Sequence, residues 1–337
     1  FNQSPLTLNP ALAGTTVWIR AGLQYRTQWK ALHSEYSPNT YSTIGAGFDI
    51  KSKKRWIKIK NATEKYRQSG ENGFGWGVNV YNDRAGDGKM GTLQANASLA
   101  YQIYMSDKSM IALGFQGGIM QRSLNYSKLQ WGNQYNTSTG QYDPNLPPDK
   151  AIAGGDANFI IPDLGTGAIY TYKKSESYMT SGDQMDFTIG AALFHVAKPK
   201  YSFFAGGEKL SQRMVFHGTG TIGVPNSKLA IVPGFMIAMQ GPNQEILAGT
   251  LFEYTLSENS KYTGFVKGAS ISAGGYYRNK DAFVPAVFFE FSSYGIGVSY
   301  DINVSGLKTV SESRGGLEIT LRFLNPAPYI YSQASFN

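Results

Sequence analysis

From Val17 to Lys30 the chain alternates without interruption. Val17, Ile19, Ala21, Leu23, Tyr25, Thr27 and Trp29 fall on one side, with Trp18, Arg20, Gly22, Gln24, Arg26, Gln28 and Lys30 on the other. A strand sends successive side chains to opposite faces, so the pattern defines one lipid-compatible face and one that needs water or counter-charges. Soluble sheets rarely need strands longer than about 10 residues. The end of the sequence repeats the pattern, with Leu317, Ile319, Leu321 and Phe323 set against Glu318, Thr320 and Arg322. Just before it, Ile296, Val298, Tyr300 and Ile302 alternate with Gly297, Ser299, Asp301 and Asn303.

Composition decides what such strands build. Charged residues make up 16% of the 337, whereas soluble domains carry roughly a quarter. Gly (39), Tyr (22) and Phe (19) are abundant. Composition alone leaves a soluble sandwich open, but few charges and many amphipathic rings suit strands with lipid outside and water inside. The most apolar stretch, Leu229 to Met239, contains Pro233 and Gly234, and nothing approaches the roughly 20 apolar residues of a membrane helix. Because lipid cannot satisfy backbone polar groups, the other spanning solution is a closed barrel. The absence of Cys removes disulfides and thiolate sites and suits an oxidising compartment. A start at Phe1 is what a cleaved signal peptide leaves, and a trimmed chain would look the same. The net charge of +8 comes without a nucleic-acid motif, so anionic headgroups or acidic partners are the expected counterparts.

Gly, Pro, Asn, Asp and Ser clusters divide the chain into fourteen candidate strands, near 16–30, 40–50, 74–82, 91–105, 109–124, 164–173, 186–200, 212–224, 228–240, 245–256, 261–278, 282–291, 294–304 and 315–323. The expected fold is all-β: a single transmembrane antiparallel β-barrel of about 14 strands. An even count returns both termini to the periplasmic side. The expected divisions are a plug-like segment at 1–15, the barrel at 16–323 and a periplasmic tail at 324–337. With the first strand running outward, Ser106 to Lys108, Asn226–Ser227, Ser257 to Ser260 and Ser292–Ser293 become short inner turns. The longest connection, about 125–163, falls on the cell surface. Its Trp131, Tyr135, Tyr142 and Asp143 form the candidate partner-binding surface, the alternative being a pore-constricting or merely solvated loop. Segment 51–72 is long and basic, which fits a solvated charged turn better than contact with headgroups or a periplasmic ring.

No motif carries catalysis. His33, His195 and His217 have no evident partners, and the latter two sit among apolar neighbours on expected strands, suited to wall or plug hydrogen bonds. No nucleophile elbow marks a serine. Asn82-Asp83-Arg84-Ala85-Gly86-Asp87-Gly88-Lys89 lacks the ligand spacing of a calcium loop and the Gly-Lys-Ser/Thr of a phosphate loop, and reads as a hairpin. No enzyme activity, cofactor or metal is expected.

Several segments, in order, resemble the PorP/SprF family of the Bacteroidetes. Leu8-Asn9-Pro10-Ala11-Leu12-Ala13-Gly14-Thr15 is similar to its opening Asn-Pro-Ala-x-Ala-Gly motif, and Tyr25-Arg26-Thr27-Gln28-Trp29 to its Tyr-Arg-x-Gln-Trp strand. Gly75-Trp76-Gly77 through Gly86 resembles a strand with an Asp-x-x-Gly hairpin. Pro162-Asp163-Leu164-Gly165-Thr166-Gly167 resembles its Pro-Asp-x-Gly-x-Gly strand, and Gly190 through His195 to Pro199 its Gly-x5-His-x3-Pro pattern. Tyr276-Tyr277-Arg278 and Gly297-Val298-Ser299-Tyr300-Asp301 resemble its closing strands. The resemblance implies an outer-membrane barrel of type IX secretion and gliding that docks, helps export or anchors a secreted surface protein, such as an adhesin, through its C-terminal signal domain. Implied partners are that domain, translocon or periplasmic-ring components and outer-membrane lipid. The alternative is an outer-membrane channel or hydrophobic-solute transporter. Pro10 and Gly14 fit a fixed non-strand conformation, so the segment around Asn9 is expected to plug the lumen, with Arg20 and Arg26 lumen-facing.

Overall fold

In the computed structural model, fourteen antiparallel strands close into a barrel. Described are residues 3–15, 17–28, 41–52, 72–86, 88–126, 129–147, 157–174, 182, 184–203, 207–257, 268–306, 308–311 and 313–325. The barrel strands are β1 (Ile19–Gln28), β2 (Tyr41–Lys51), β3 (Gly73–Ala85), β4 (Met90–Tyr104), β5 (Ser109–Leu124), β8 (Ala157–Lys174), β9 (Met185–Phe194) and β10 (Arg213–Gly223). They continue with β11 (Leu229–Gln240), β12 (Asn243–Ser257), β13 (Ala269–Arg278), β14 (Ala282–Phe291), β15 (Tyr294–Asn303) and β16 (Arg314–Asn325). The short pair β6 (Tyr135–Asn136) and β7 (Gln141–Tyr142) forms a separate hairpin. Each barrel strand pairs with its neighbours in sequence, and β1 closes the ring on β16 from Ile19↔Asn325 to Gln28↔Gly316. Trp29, Lys30, residues 53–71 of the basic segment and the tail from 326 lie outside the described residues.

The alternation places apolar side chains outside. Leu23, Tyr25, Phe115, Val298 and Leu321 are exposed, whereas their neighbours Gln24, Gln116 and Thr320 turn inward. In water this belt of Leu, Ile, Val and Phe would be an aggregation surface. Around a closed barrel, where backbone groups are paired strand to strand, it is the face that meets lipid. The chain is thus an all-β outer-membrane barrel.

Among the boundaries that differ from the sequence reading, three have a local reason. β8 starts at Ala157 rather than near 164, because Pro162 reads as a breaker. The residue is tolerated there since the β9 ladder begins only at Gly165, leaving Pro162 with β5 alone. β9 ends at Phe194 rather than running to 200: His195 (φ 57°) and Lys198 (φ 44°) adopt left-handed conformations that no strand continues through. β16 extends to Asn325, two residues into the stretch read as tail.

Inside the barrel lies a continuous core. Leu8, Ala11 and Leu12 of the N-terminal segment pack with Met110, Ile169, Val215, Leu247, Leu251 and Val284 from the wall. Part of the inner face of β11, β12 and β14 is therefore apolar as well as the outer face.

Candidate functional site

The N-terminal segment runs through the lumen as a four-residue helix, Pro5–Leu8, and a 3-10 turn, Pro10–Leu12. Asn9 joins them. Its side chain accepts from the Ala11 amide at 2.9 Å, capping the turn, while Pro10 supplies the preset φ of a first turn position. The Asn9 amide lies 3.1 Å from Ala168 O, Ala191 O and His217 Nε2, so one fully buried side chain ties the turn to β8, β9 and β10. The carboxamide nitrogen brings two hydrogens to these three neighbours, which share them.

A second set of bonds fixes the far end of the segment. Asp49 on β2 accepts the Gly14 amide at 2.8 Å and two bonds from Arg20 of β1, at 2.7 and 3.1 Å. Arg20 also donates to Leu12 O at 3.1 Å, and Gln102 of β4 donates to Gly14 O at 2.7 Å and Ala13 O at 3.3 Å. Asp49 and Gln102 are almost fully buried. Gly14 takes a left-handed φ of 61°, and an added Cβ would lie 2.7 Å from Ile50 O. Near the other end, Ser4 hydrogen-bonds Gln24 and Gln3 accepts from Arg322 at 3.3 Å.

The wall is cut away where the segment passes. A Cβ on Gly75 would sit 1.9 Å from Ala13 O, one on Gly114 2.2 Å from Ala11 N, and one on Gly167 2.1 Å from Asn9 Oδ1. Only glycine lets the two backbones approach this closely. The spacing Gly75-x-Gly77 and Gly165-x-Gly167 on lumen-facing positions carries that signal in the sequence, as does the lone acid of Phe48-Asp49-Ile50. Neither Asp49, Gln102 nor the glycines stood out as site residues, because alternation says which side chains point inward but not what fills the interior.

The remaining predicted residues separate into two groups. Arg26 reaches Asp301 at 2.7 Å, and Arg278 joins the same carboxylate at 3.1 Å. His195 Nδ1 meets Asp163 Oδ1 at 2.8 Å, and Gln94 donates to the other Asp163 oxygen at 2.7 Å, so the two motif segments around Pro162 and His195 converge inside the wall. Trp131, Tyr135, Tyr142 and Asp143 sit apart, in the surface connection after β5. Buried Gln134 organises that loop by accepting from Trp131 N at 3.2 Å and donating to Leu146 O at 3.1 Å. Its own carbonyl accepts from Asp143 N at 2.8 Å. Asp143 Oδ1 accepts from Asn145 N at 2.9 Å, while Tyr135 and Tyr142, directly paired across the hairpin, stay 55% and 40% exposed. Among the described residues no three His, Asp or Glu side chains gather as a metal site.

Comparison with known structures finds outer-membrane barrels. The toluene transporter TbuX of Ralstonia pickettii is 13% identical with a TM-score of 0.45, the alignment covering 96% of this chain and 93% of that one. The TodX ΔS2S3 mutant monoaromatic hydrocarbon channel is 10% identical with a TM-score of 0.47, over 96% and 94% of the two chains. The CymD monoaromatic hydrocarbon channel is 9% identical with a TM-score of 0.46, over 96% and 93%. No curated protein matches the chain. The model of one family, the type IX secretion system membrane protein PorP/SprF, matches residues 1–323, which takes in both the luminal segment and the barrel. The chain belongs to the PorP/SprF family of type IX secretion system membrane proteins.

Proposed function

We propose that the protein is a noncatalytic docking barrel of type IX secretion, which helps export or anchors a secreted surface protein by holding its C-terminal signal domain. The observation that carries this reading is the luminal segment: a backbone clasped at Asn9 and Gly14 acts as a plug and leaves the barrel offering surfaces in place of a wide path. The partner surface is the connection after β5, where Tyr135 and Tyr142 project from a hairpin already ordered by Gln134. Rigid exposed aromatics lose little side-chain entropy on binding, which favours them as anchors. The translocon, or a periplasmic ring, is the second partner. His195 and His217 serve structure: His195 is engaged by Asp163 and His217 by Asn9, while His33 lies outside the described residues.

The test is gentle detergent extraction from the native membrane, with copurifying proteins identified by mass spectrometry for the intact chain and for one shortened across 129–147. A secreted partner retained only by the intact chain supports docking; an identical partner list from both removes this loop from the reading. The second reading, an outer-membrane channel or hydrophobic-solute transporter, draws on the luminal space that remains beside the segment. Ion conductance separates the two.

A further inference from the structure

The connection from β9 to β10 carries a short hairpin anchored on the inside of the wall. Tyr201 N donates to Glu208 O at 2.8 Å and Leu210 N to Pro199 O at 2.9 Å, which sets Lys200 directly opposite Lys209. Facing residues share one side of a strand pair, and their neighbours take the other. The side that carries Tyr201 turns to the lumen. Its ring lies 5.1 Å from the Arg122 guanidinium and edge-on to Phe159 at 5.8 Å, and Phe203 packs on the same Phe159 at 5.0 Å. Arg122 and Phe159 face each other in the β5–β8 ladder, in line with buried Met120 and Ile161. Lys200 and Lys209 therefore point to the outside of the barrel, on the side of Ile160, which is 62% exposed.

Strand β8 also gives their height in the membrane. Tyr170 and Tyr172, on the side opposite buried Ile169, meet Phe187 of β9 at 6.0 and 5.4 Å on the outer wall. Such aromatic contacts mark a membrane–water boundary. From Tyr172 to Ile160, at about 3.3 Å per residue and about 40° of tilt, the wall rises about 30 Å. That distance spans the roughly 25 Å apolar band and reaches the opposite headgroups. The edge reached is the outer one. Connections at the other end, such as Ser106 to Ser109 and the turn at Asn226, are tight, as periplasmic turns are, whereas the long connection after β5 lies at this end.

Two lysines in this register repel. The pair lies between two backbone bonds, in the arrangement that brings facing side chains closest, and like charges placed there are destabilising. Both are exposed, as is Lys198. Among the described residues no carboxylate pairs with any of the three, and Glu208, beside Lys209, falls on the side of Tyr201. An anion held between Lys200 and Lys209 removes the repulsion. At the level of the outer headgroups, that anion is the phosphate of the outer-leaflet glycolipid. We propose that Lys200 and Lys209 clamp a phosphate group of this lipid, lipid A, against the wall at β8 to β10. The site is independent of the docking role, since it faces the lipid and uses no residue of the connection after β5.

Titration of the full-length barrel in dodecyl maltoside with diphosphoryl lipid A, read by native mass spectrometry, tests the assignment. Lys200→Gln with Lys209→Gln should weaken binding about 30-fold, the loss of two lysine contacts to an anionic headgroup. Lys108→Gln with Lys228→Gln removes the same charge from exposed positions at the inner end and should leave the affinity unchanged. Without lipid, the Lys200/Lys209 variant should melt no lower than the parent, because a repulsion has been removed; a lower melting temperature overturns that repulsion and the clamp built on it. Equal weakening in the two double variants makes the effect one of net charge and overturns the site, as does full affinity in the Lys200/Lys209 variant. A secreted protein lost from that variant while lipid A stays bound assigns the lysines to a protein and overturns the lipid site as well.

Discussion

Arg20 Nε donates to Asp49 Oδ1 across 2.7 Å between adjacent strands, and the second oxygen of that carboxylate holds the Gly14 amide of the luminal segment. One acid thus neutralises a buried arginine and fastens the luminal segment. Removing it with Asp49→Ala leaves Arg20 buried without its carboxylate, a loss of about 3–5 kcal/mol in barrel stability. Replacing both, Arg20→Met with Asp49→Leu, should cost clearly less than the single change. Urea unfolding of the refolded barrels measures the difference, and equal losses would show that the ion pair is not what Asp49 contributes.

The glycine wall makes a sharper geometric prediction. Gly75→Ala places a methyl within 1.9 Å of Ala13 O, so either β3 or the segment must move, at about 1–3 kcal/mol. Gly117→Ala is the matched control, because its Cβ meets only Leu164 Cδ2 at 3.7 Å, and it should stay within about 0.5 kcal/mol of the parent. The same unfolding curves decide between them.

These two cases mark how far the sequence could be read. Alternation at Val17 to Lys30 and in the last two strands identifies lipid and lumen faces without further information, since the two solvents differ so strongly. Turn chemistry at Ser106 to Lys108 and Ser292–Ser293 then limits the strand count. What the pattern hides is the interior. Leu247, Leu251 and Val284 read as unremarkable strand residues, because a strand with lipid on one face and a luminal core on the other loses its alternation. The pairing of Asp163 with His195 was hidden for another reason: the left-handed φ at His195 ends a strand that its neighbours would continue.

The lipid face can be tested independently of the lumen. Val298 points outward near the middle of β15 and is 44% exposed. Val298→Arg should destabilise the barrel in lipid vesicles by about 2–4 kcal/mol, the cost of a basic side chain near the bilayer midplane. A near-zero cost would place that face in water.

At the surface, Tyr135→Ala with Tyr142→Ala should weaken capture of the secreted partner by about 2 kcal/mol or more, the size of an aromatic anchor lost from an interface. The melting temperature should not change, because both rings are exposed on the short hairpin. Quantitative pull-down beside a melting curve reads both, and undiminished capture would move the docking surface elsewhere.

The claim that the luminal segment closes this barrel is tested most directly by planar-bilayer recording of the intact chain beside a variant lacking residues 3–14. The account predicts a silent intact barrel and steady conductance steps once the segment is gone. Steps of the same size from the intact chain would contradict it and favour a channel.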